Sequence, residues 1–370
     1  MSLTITLPLA AALLATPFLT VPQPGYGQSD LQRQVNALRD IGIVGIQARA
    51  SAEGEDVVAT AGRADAERPS RVSPDSHFRI ASTTKTFVAT VVLQLVAENE
   101  LSLDDPVVKW LPQQVEGPMT VRQILQHTAR VPNYYPDYAT YADFREHRYD
   151  PYTHEELVDK AMRLTPPTEK WSYSNTGYYL AGMLIKKITG SPWHEEVERR
   201  ISRPLGLDRT LWSGHAVHVP RPHAKAYKEF AKEGLRDVTS HYDGDAAGGL
   251  ISTTRDVNRF YRALLGGEVL APAQLAEMKR TVRLSAPFEQ VWPDARYGIG
   301  IFSRTLPCGG RYWSHGGDDY GYSTKTAVTA DGKRSLTVSL SSQPLAESAS
   351  ANVSKVVDAM VEDALCNRKK

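Results

Sequence analysis

Residues Phe87 to Val96 read Phe-Val-Ala-Thr-Val-Val-Leu-Gln-Leu-Val, apolar almost all the way round a helix, and they follow directly on Ser82-Thr83-Thr84-Lys85-Thr86. A helix without a polar face has to be covered on every side. The rest of the chain must therefore build a core around it, and the first turn goes inside too, carrying a hydroxyl and an ammonium with it. At 370 residues the chain is long enough to do this as one large domain or two lobes.

Around this helix the patterning changes along the chain. Leu31 to Asp40 reads as a helix, and Ile41 to Ala50 and Val57 to Ala61 read as strands turned at Glu53-Gly54. From 82 to about 289 the periodicity is mostly helical, with helices over 155–163 and 177–189 and another from Thr253-Thr254, where Asp256 suits a first turn. A Lys232-Glu233-Gly234 match in this region lies in a charged stretch read as strandless. Strand-forming residues return at Tyr297–Ser303, Arg311–Ser314, Tyr322–Thr329 and Ser335–Ser341, before a last helix from about Ala349 to Leu365. The expected fold class is α/β (α+β): an antiparallel sheet flanked by helices, built from both chain ends (about 28–81 and 290–370). An all-helical lobe (about 82–289) is inserted, and a site lies between the two.

Leu7 to Val21 is nearly all apolar and is ended by Pro22 and Pro24, so residues 1–27 read as a removable export signal and the protein as secreted. No basic residue precedes the run, which leaves a buried N-terminal helix as the other reading. The prolines stop it short of the roughly 20 residues that a membrane span needs. With 43 basic and 42 acidic residues, neither nucleic acid nor an anionic membrane is expected as a partner, and a monomer is expected. Cys308 and Cys366 either pair, closing a loop worth roughly 4 kcal/mol on the loop-entropy model, or remain two buried thiols. His154-Glu155-Glu156 and His194-Glu195-Glu196 lack the second histidine of a zinc helix and read as solvated helix starts, so no metal site is expected.

Ser82 and Lys85 are i, i+3 neighbours on one helical face, so amine and hydroxyl can touch. Burial and the positive end of a helix both disfavour an ammonium, which makes a neutral amine accessible as a base for the hydroxyl. A helix-capping serine beside an exposed lysine is the plainer alternative. Tyr173-Ser174-Asn175, if extended, puts the phenol and the amide on one side and Ser174 on the other. The phenol can relay a proton, and the amide can hold a carbonyl and the lysine. At the end of a strand, His315-Gly316-Gly317 would let a substrate backbone lie along the edge.

The order Ser-x-x-Lys, Tyr-x-Asn, His-x-Gly at 82, 173 and 315 resembles the serine penicillin-recognising superfamily. The likeness is greatest to low-molecular-weight D-alanyl-D-alanine carboxypeptidases and class C β-lactamases, and it runs from about residue 35 to the C-terminus. It is supported by the stretches 78–86, 125–132, 171–178, 246–253 and 314–324. The resemblance implies that Ser82 is the acylated nucleophile, Lys85 its proton acceptor and Tyr173 the acid/base toward the leaving group. Asn175 would bind the substrate amide, His315 would support Tyr173 and orient substrate, and Gly316 and Gly317 would line the substrate strand. The Asp318 N–H would join the Ser82 N–H in an oxyanion hole. No metal or organic cofactor is required, and the implied substrate is a small peptide with D-residues or a β-lactam.

Three departures bear on activity. His315 replaces the lysine of most β-lactamases and attracts a carboxylate less. Gly316-Gly317-Asp318, with Asp319 behind, replaces the Thr-Gly-Thr whose hydroxyls grip a terminal carboxylate. Two acids there would repel a carboxylate and welcome an amine, unless Asp318 points away as alternate strand residues do. Arg130 stands where the family's loop has glycine, implying strain, a changed backbone, or a substitute positive charge. The function expected is an exported serine acyl-hydrolase, foremost a D-alanyl-D-alanine carboxypeptidase type. D-aminopeptidase, amidase, esterase and β-lactamase are alternatives, with a peptide cyclase or a non-turning-over sensor behind them.

Overall fold

The computed structural model describes residues 26–366 except 53, 244, 344 and 345. All but Tyr26 and Gly27 of the expected export signal lies outside the described residues. Among the described residues, nine strands form one sheet in the order 55–62, 45–52, 334–340, 323–329, 311–314, 302–305, 296–297 and 282–283, with Gly317–Asp318 also paired to Ser323–Thr329. The pairings are antiparallel, and the two chain ends meet at the centre, where Ala48 faces Val338.

One face of the sheet is covered by the first and last helices, Gln28–Asp40 and Glu347–Cys366. Leu31, Val35 and Leu38 pack there with Val353, Val357 and Met360 over Ile46, Leu336 and Val338. The other face carries helix Thr254–Leu265, capped by the Thr253 hydroxyl accepting from the Asp256 N–H as its sequence implies. Beneath it, helix Thr84–Ala97 is buried from Thr84 through Leu93, with Phe87 stacked on Phe260 at 3.7 Å. The core closes round this helix because it has no side to give to water.

Several expectations need correction. The inserted region is mostly helical but not all-helical: it contributes strands to two small sheets, 78–79/250–252/211–212 and 342–343/227–230/234–237. Lys232 and Glu233 sit in the turn of a hairpin between strands 227–230 and 234–237, so that stretch is not strandless. Tyr297–Ser303 divides into two paired strands because Gly298-Ile299-Gly300 turns the chain, with Gly300 at φ 70°. His154 and His194 sit at helix starts beside the exposed Glu155, Glu156 and Glu195, but the two imidazoles are half-buried and partnered: His154 Nε2 accepts the Ala246 N–H at 3.0 Å, and His194 stacks on Trp212 at 3.9 Å. Cys308 and Cys366 are bonded, tying the last helix to the 302–314 hairpin.

Candidate active site

Ser82 lies in a single 3₁₀ turn, Ala81–Thr83, at the head of the buried helix. Strand Phe78–Arg79 leads into it, and the Ile80 N–H bonds the Leu250 carbonyl at 3.0 Å, which fixes the approach. Ala81 is forced to φ 47°, a left-handed conformation that costs a non-glycine residue of order 1 kcal/mol. The chain thereby turns abruptly and presents Ser82 at the lobe junction.

Lys85 Nζ donates to Ser82 Oγ at 3.1 Å, Asn175 Oδ1 at 2.7 Å and the Ala247 carbonyl at 2.8 Å. Three acceptors match the three hydrogens of an ammonium. Only one of them, the Ser82 hydroxyl, can reverse its role and donate. A neutral Lys85 can therefore keep Asn175 and Ala247 as acceptors and take the serine proton on its lone pair. Burial pulls the amine down to about 7, against the opposing attraction of Asp245 and Asp243.

Tyr173 and Asn175 share the side facing Lys85, as the extended reading requires. The Tyr173 ring lies 5.0 Å from Nζ with its hydroxyl toward Ser82, while Ser174 turns inward to the Pro132 carbonyl at 3.2 Å. Burial pushes the Tyr173 phenol far up, so it stays protonated and acts as a donor or relay, not as a phenolate. Asn133 Oδ1 accepts from both the Asn175 N–H and Nδ2, which leaves Asn175 Oδ1 for the lysine. Asn133 was not singled out in the sequence; its place just after the Arg130-Val131-Pro132 loop was the available signal.

The third segment runs in one register along Ser323–Thr329 on either side of His315: Trp313 faces Val328 and Gly317 faces Thr324. At His315 the Thr326 hydroxyl takes over, accepting the His315 N–H and donating to its carbonyl. The imidazole is buried and neutral: desolvation and Lys85 pull it down to about 3. Its Nδ1 bonds the Gly316 carbonyl at 2.7 Å and its Nε2 faces the Tyr297 hydroxyl at 3.1 Å. It meets Tyr173 only through ring packing at 6.3 Å, so the support expected for that tyrosine is not a hydrogen bond.

A side chain on Gly317 would strike the Ile80 carbonyl and come within 2.9 Å of the Ser82 nitrogen, so glycine alone permits this approach. The Asp319 N–H bonds the Tyr322 carbonyl, which makes Asp319–Tyr322 a bonded pair of the ladder. By alternation Asp318–Ser323 is a non-bonded pair, and the Asp318 N–H points out from the strand edge. The Asp318 side chain turns away to Ser323 and, at 3.1 Å, to Lys325. Arg130 holds φ 56° and donates Nε to the Pro167 carbonyl at 2.8 Å, so it keeps the glycine-type backbone and brings no charge to Ser82.

Asp319 is not beside the nucleophile either. It is buried, with Oδ2 at 3.0 Å from His241 Nε2 and 4.0 Å from Arg79 Nε, and Oδ1 receiving the Tyr135 hydroxyl. Burial would raise its carboxyl, yet His241 and Arg79 hold it at about 2. The expected pair of acids confronting substrate is thus not formed. Among the described residues, His241, Asp243 and Asp319 bring their ligand atoms within 4.8 Å of one another. With Arg79 already supplying positive charge, and both Asp319 oxygens engaged, the donor set suits an ion-pair network better than a bound cation.

Comparison with known proteins completes the picture: residues 31–359 match the family model described as Beta-lactamase. The chain belongs to that family. It is a serine hydrolase of the β-lactamase and penicillin-binding-protein superfamily, with the superfamily's mixed fold. A D-stereospecific amidohydrolase from Streptomyces sp. superposes with a TM-score of 0.81 at 36% identity, covering 92% of this chain and 99% of that one. The D-amino acid amidase from Ochrobactrum anthropi SV3, complexed with L-phenylalanine amide, gives 0.75 at 27% identity, covering 89% and 97%. A penicillin-binding protein of Bacillus subtilis (strain 168) is 27% identical over 77% of this chain, which spans 66% of that relative's length. No helix among the described residues is long and apolar enough to cross a membrane.

Proposed function

We propose that this β-lactamase-family chain is an exported serine amidohydrolase that cleaves D-configured amides and short peptides through an acyl-enzyme at Ser82. One observation carries the choice: the third segment offers a neutral imidazole and glycines where a carboxylate would need a cation or hydroxyls. The charges that could compensate are committed elsewhere, Lys325 to Asp318 and Arg130 to Pro167. A substrate whose scissile amide ends in –NH₂ or an uncharged amine needs no such grip. The D-amide hydrolases that superpose on the chain support this, and the Cys308–Cys366 bond supports an oxidising compartment.

In this reading neutral Lys85 takes the Ser82 proton as Oγ attacks the amide carbonyl. The oxyanion is met by the Ser82 and Asp318 N–H groups, and Asn175 Nδ2 faces the acyl side. As the tetrahedral centre collapses, Tyr173 gives its proton to the departing amine and takes one from the Lys85 ammonium beside it, Ser82 Oγ being by then an ester oxygen. Water then attacks the ester carbonyl and gives its proton to neutral Lys85, which returns it to Ser82 Oγ as the acid is released.

A D-alanyl-D-alanine carboxypeptidase is the second reading, favoured by the shared three-motif order and the penicillin-binding relative. A hydrolysis panel decides between them: D-phenylalanine amide, its L-enantiomer, acyl-D-Ala-D-Ala, a p-nitrophenyl ester and a chromogenic cephalosporin. The proposal expects kcat/KM for the D-amide to exceed that for acyl-D-Ala-D-Ala by at least about tenfold, the L-amide being poor. The reverse order would establish the carboxypeptidase.

A further inference from the structure

We propose that Asp245 is a positioning residue for the Lys85 amine, holding the turn whose Ala247 carbonyl receives Nζ and setting, through its buried charge, the pH at which Lys85 becomes a base. The geometry is direct. Asp245 Oδ1 accepts the Ala247 N–H at 2.7 Å, and the Asp245 carbonyl accepts from Gly249 at 2.9 Å, which closes a tight turn over residues 245–249. The Ala247 carbonyl leaves that turn toward Lys85 Nζ at 2.8 Å. Asp245 is wholly buried, and its Oδ2 has no hydrogen-bond partner.

An asparagine would accept the same N–H and hold the same turn. A carboxylate is far costlier to bury, and charge is what it adds. That charge acts on Lys85. The other groups facing the amine are Ser82, the Tyr173 and Tyr178 rings at 5.0 and 5.5 Å, and the His127 and His315 imidazoles, both kept neutral by burial. Behind Asp245 lies Asp243, whose carboxyl is pushed well above the usual range by burial and by Asp245 itself. Asp245 is therefore the charged member of the pair, titrating near 6 where burial raises it and Lys85 opposes. Without Asp245, burial would lower the amine further and leave it a free base at lower pH.

The inference rests on acylation at Ser82, whichever amide is cleaved, so p-nitrophenyl acetate serves as the probe. Asp245→Asn keeps the acceptor and removes the charge. Its acid limb in kcat/KM is expected about one pH unit or more below wild type, giving roughly a tenfold relative gain below that limb. Asp245→Ala, which also loses the turn, is expected to lower the plateau as well. An Asp245→Asn limb in the wild-type position, or moved upward, overturns the proposal. A purely structural role would change plateau and melting temperature without moving the limb. If Asp245→Asn does not fold, ¹³C-labelled lysine and aspartate in the wild type decide: Lys85 and Asp245 should show shared midpoints, and independent titrations refute the coupling. A wild type that is never acylated would defeat the proposed function instead, so the two failures are distinct.

Discussion

The imidazole of His315 and the phenol of Tyr297 are joined at 3.1 Å in the buried floor of the site. With Nδ1–H directed at the Gly316 carbonyl, Nε2 is the acceptor and Tyr297 the donor. Tyr297→Phe would leave a buried acceptor unpaired, which costs about 1–3 kcal/mol. His315 leads directly into Gly317 and Asp318, so loosening its ring should also lower kcat/KM about tenfold, or about 1.4 kcal/mol of transition-state stabilisation. Thermal melts and ester kinetics on one preparation check both. If neither changes, Tyr297 does not position His315.

Lys85 should impose the acid limb of the pH profile. Its folded value is lowered to about 7, and the neutral amine is the active form, so activity is present above that pH and lost as pH falls through it. Lys85→Arg should cost about 10²–10⁴-fold at every pH, because a guanidinium cannot give up its proton. Ser82→Ala should abolish acylation with an unchanged circular dichroism spectrum. Near-normal turnover by Lys85→Arg would move the base elsewhere.

Arg130 has the glycine-type backbone without the glycine. Arg130→Gly should relieve left-handed strain of about 1 kcal/mol, partly offset by chain entropy and the lost bond to Pro167. The melting temperature is expected to stay level or rise slightly, with KM for an anionic cephalosporin unaffected. A KM increase confined to anionic substrates would show that the guanidinium reaches the site after all.

The three motifs, taken with the family resemblance they carry, were enough to bring Ser82, Lys85, Tyr173, Asn175 and the 315–318 strand together, and periodicity set most helices and strands within a few residues of their ends. Each of these signals is short in range: an i, i+3 spacing, an alternation, a cap. The residues that complete the site carry no such signal. Tyr297, Asn133, Asp245 and the Ala247 carbonyl act through contacts made across the lobes; Lys85 alone reaches 90 residues to Asn175 and 162 to Ala247. Orientation was legible only as an alternative: Asp318 and Asp319 read as an acidic rim unless Asp318 points away, which it does, toward Lys325, while Asp319 is drawn off by His241 and Arg79.

Buried neutral histidines should make the fold sensitive to acid. His315 is held down to about 3 and His154 to about 4, in both cases first by burial, whereas both titrate near 6.5 when unfolded. Because the unfolded chain takes those protons first, stability is full above about 6.5 and declines as pH falls toward 4. His154→Gln, which has no charge to bury, should flatten part of the decline seen in melts between pH 7 and 4.5. An equally steep decline would assign the sensitivity to other groups.

The Cys308–Cys366 bond spans 58 positions and holds the final helix against the sheet. On the loop-entropy model its removal frees about 4 kcal/mol worth of unfolded-chain entropy. The helix retains its own apolar contacts through Val353, Val357 and Met360, so it should stay docked when the bond is absent. Cys366→Ser is therefore expected to remain folded and active at 25 °C but to unfold at clearly lower urea concentration, as should the reduced wild type. A loss below about 1 kcal/mol in both would mean that packing alone fixes the C-terminal helix and already restricts the unfolded chain.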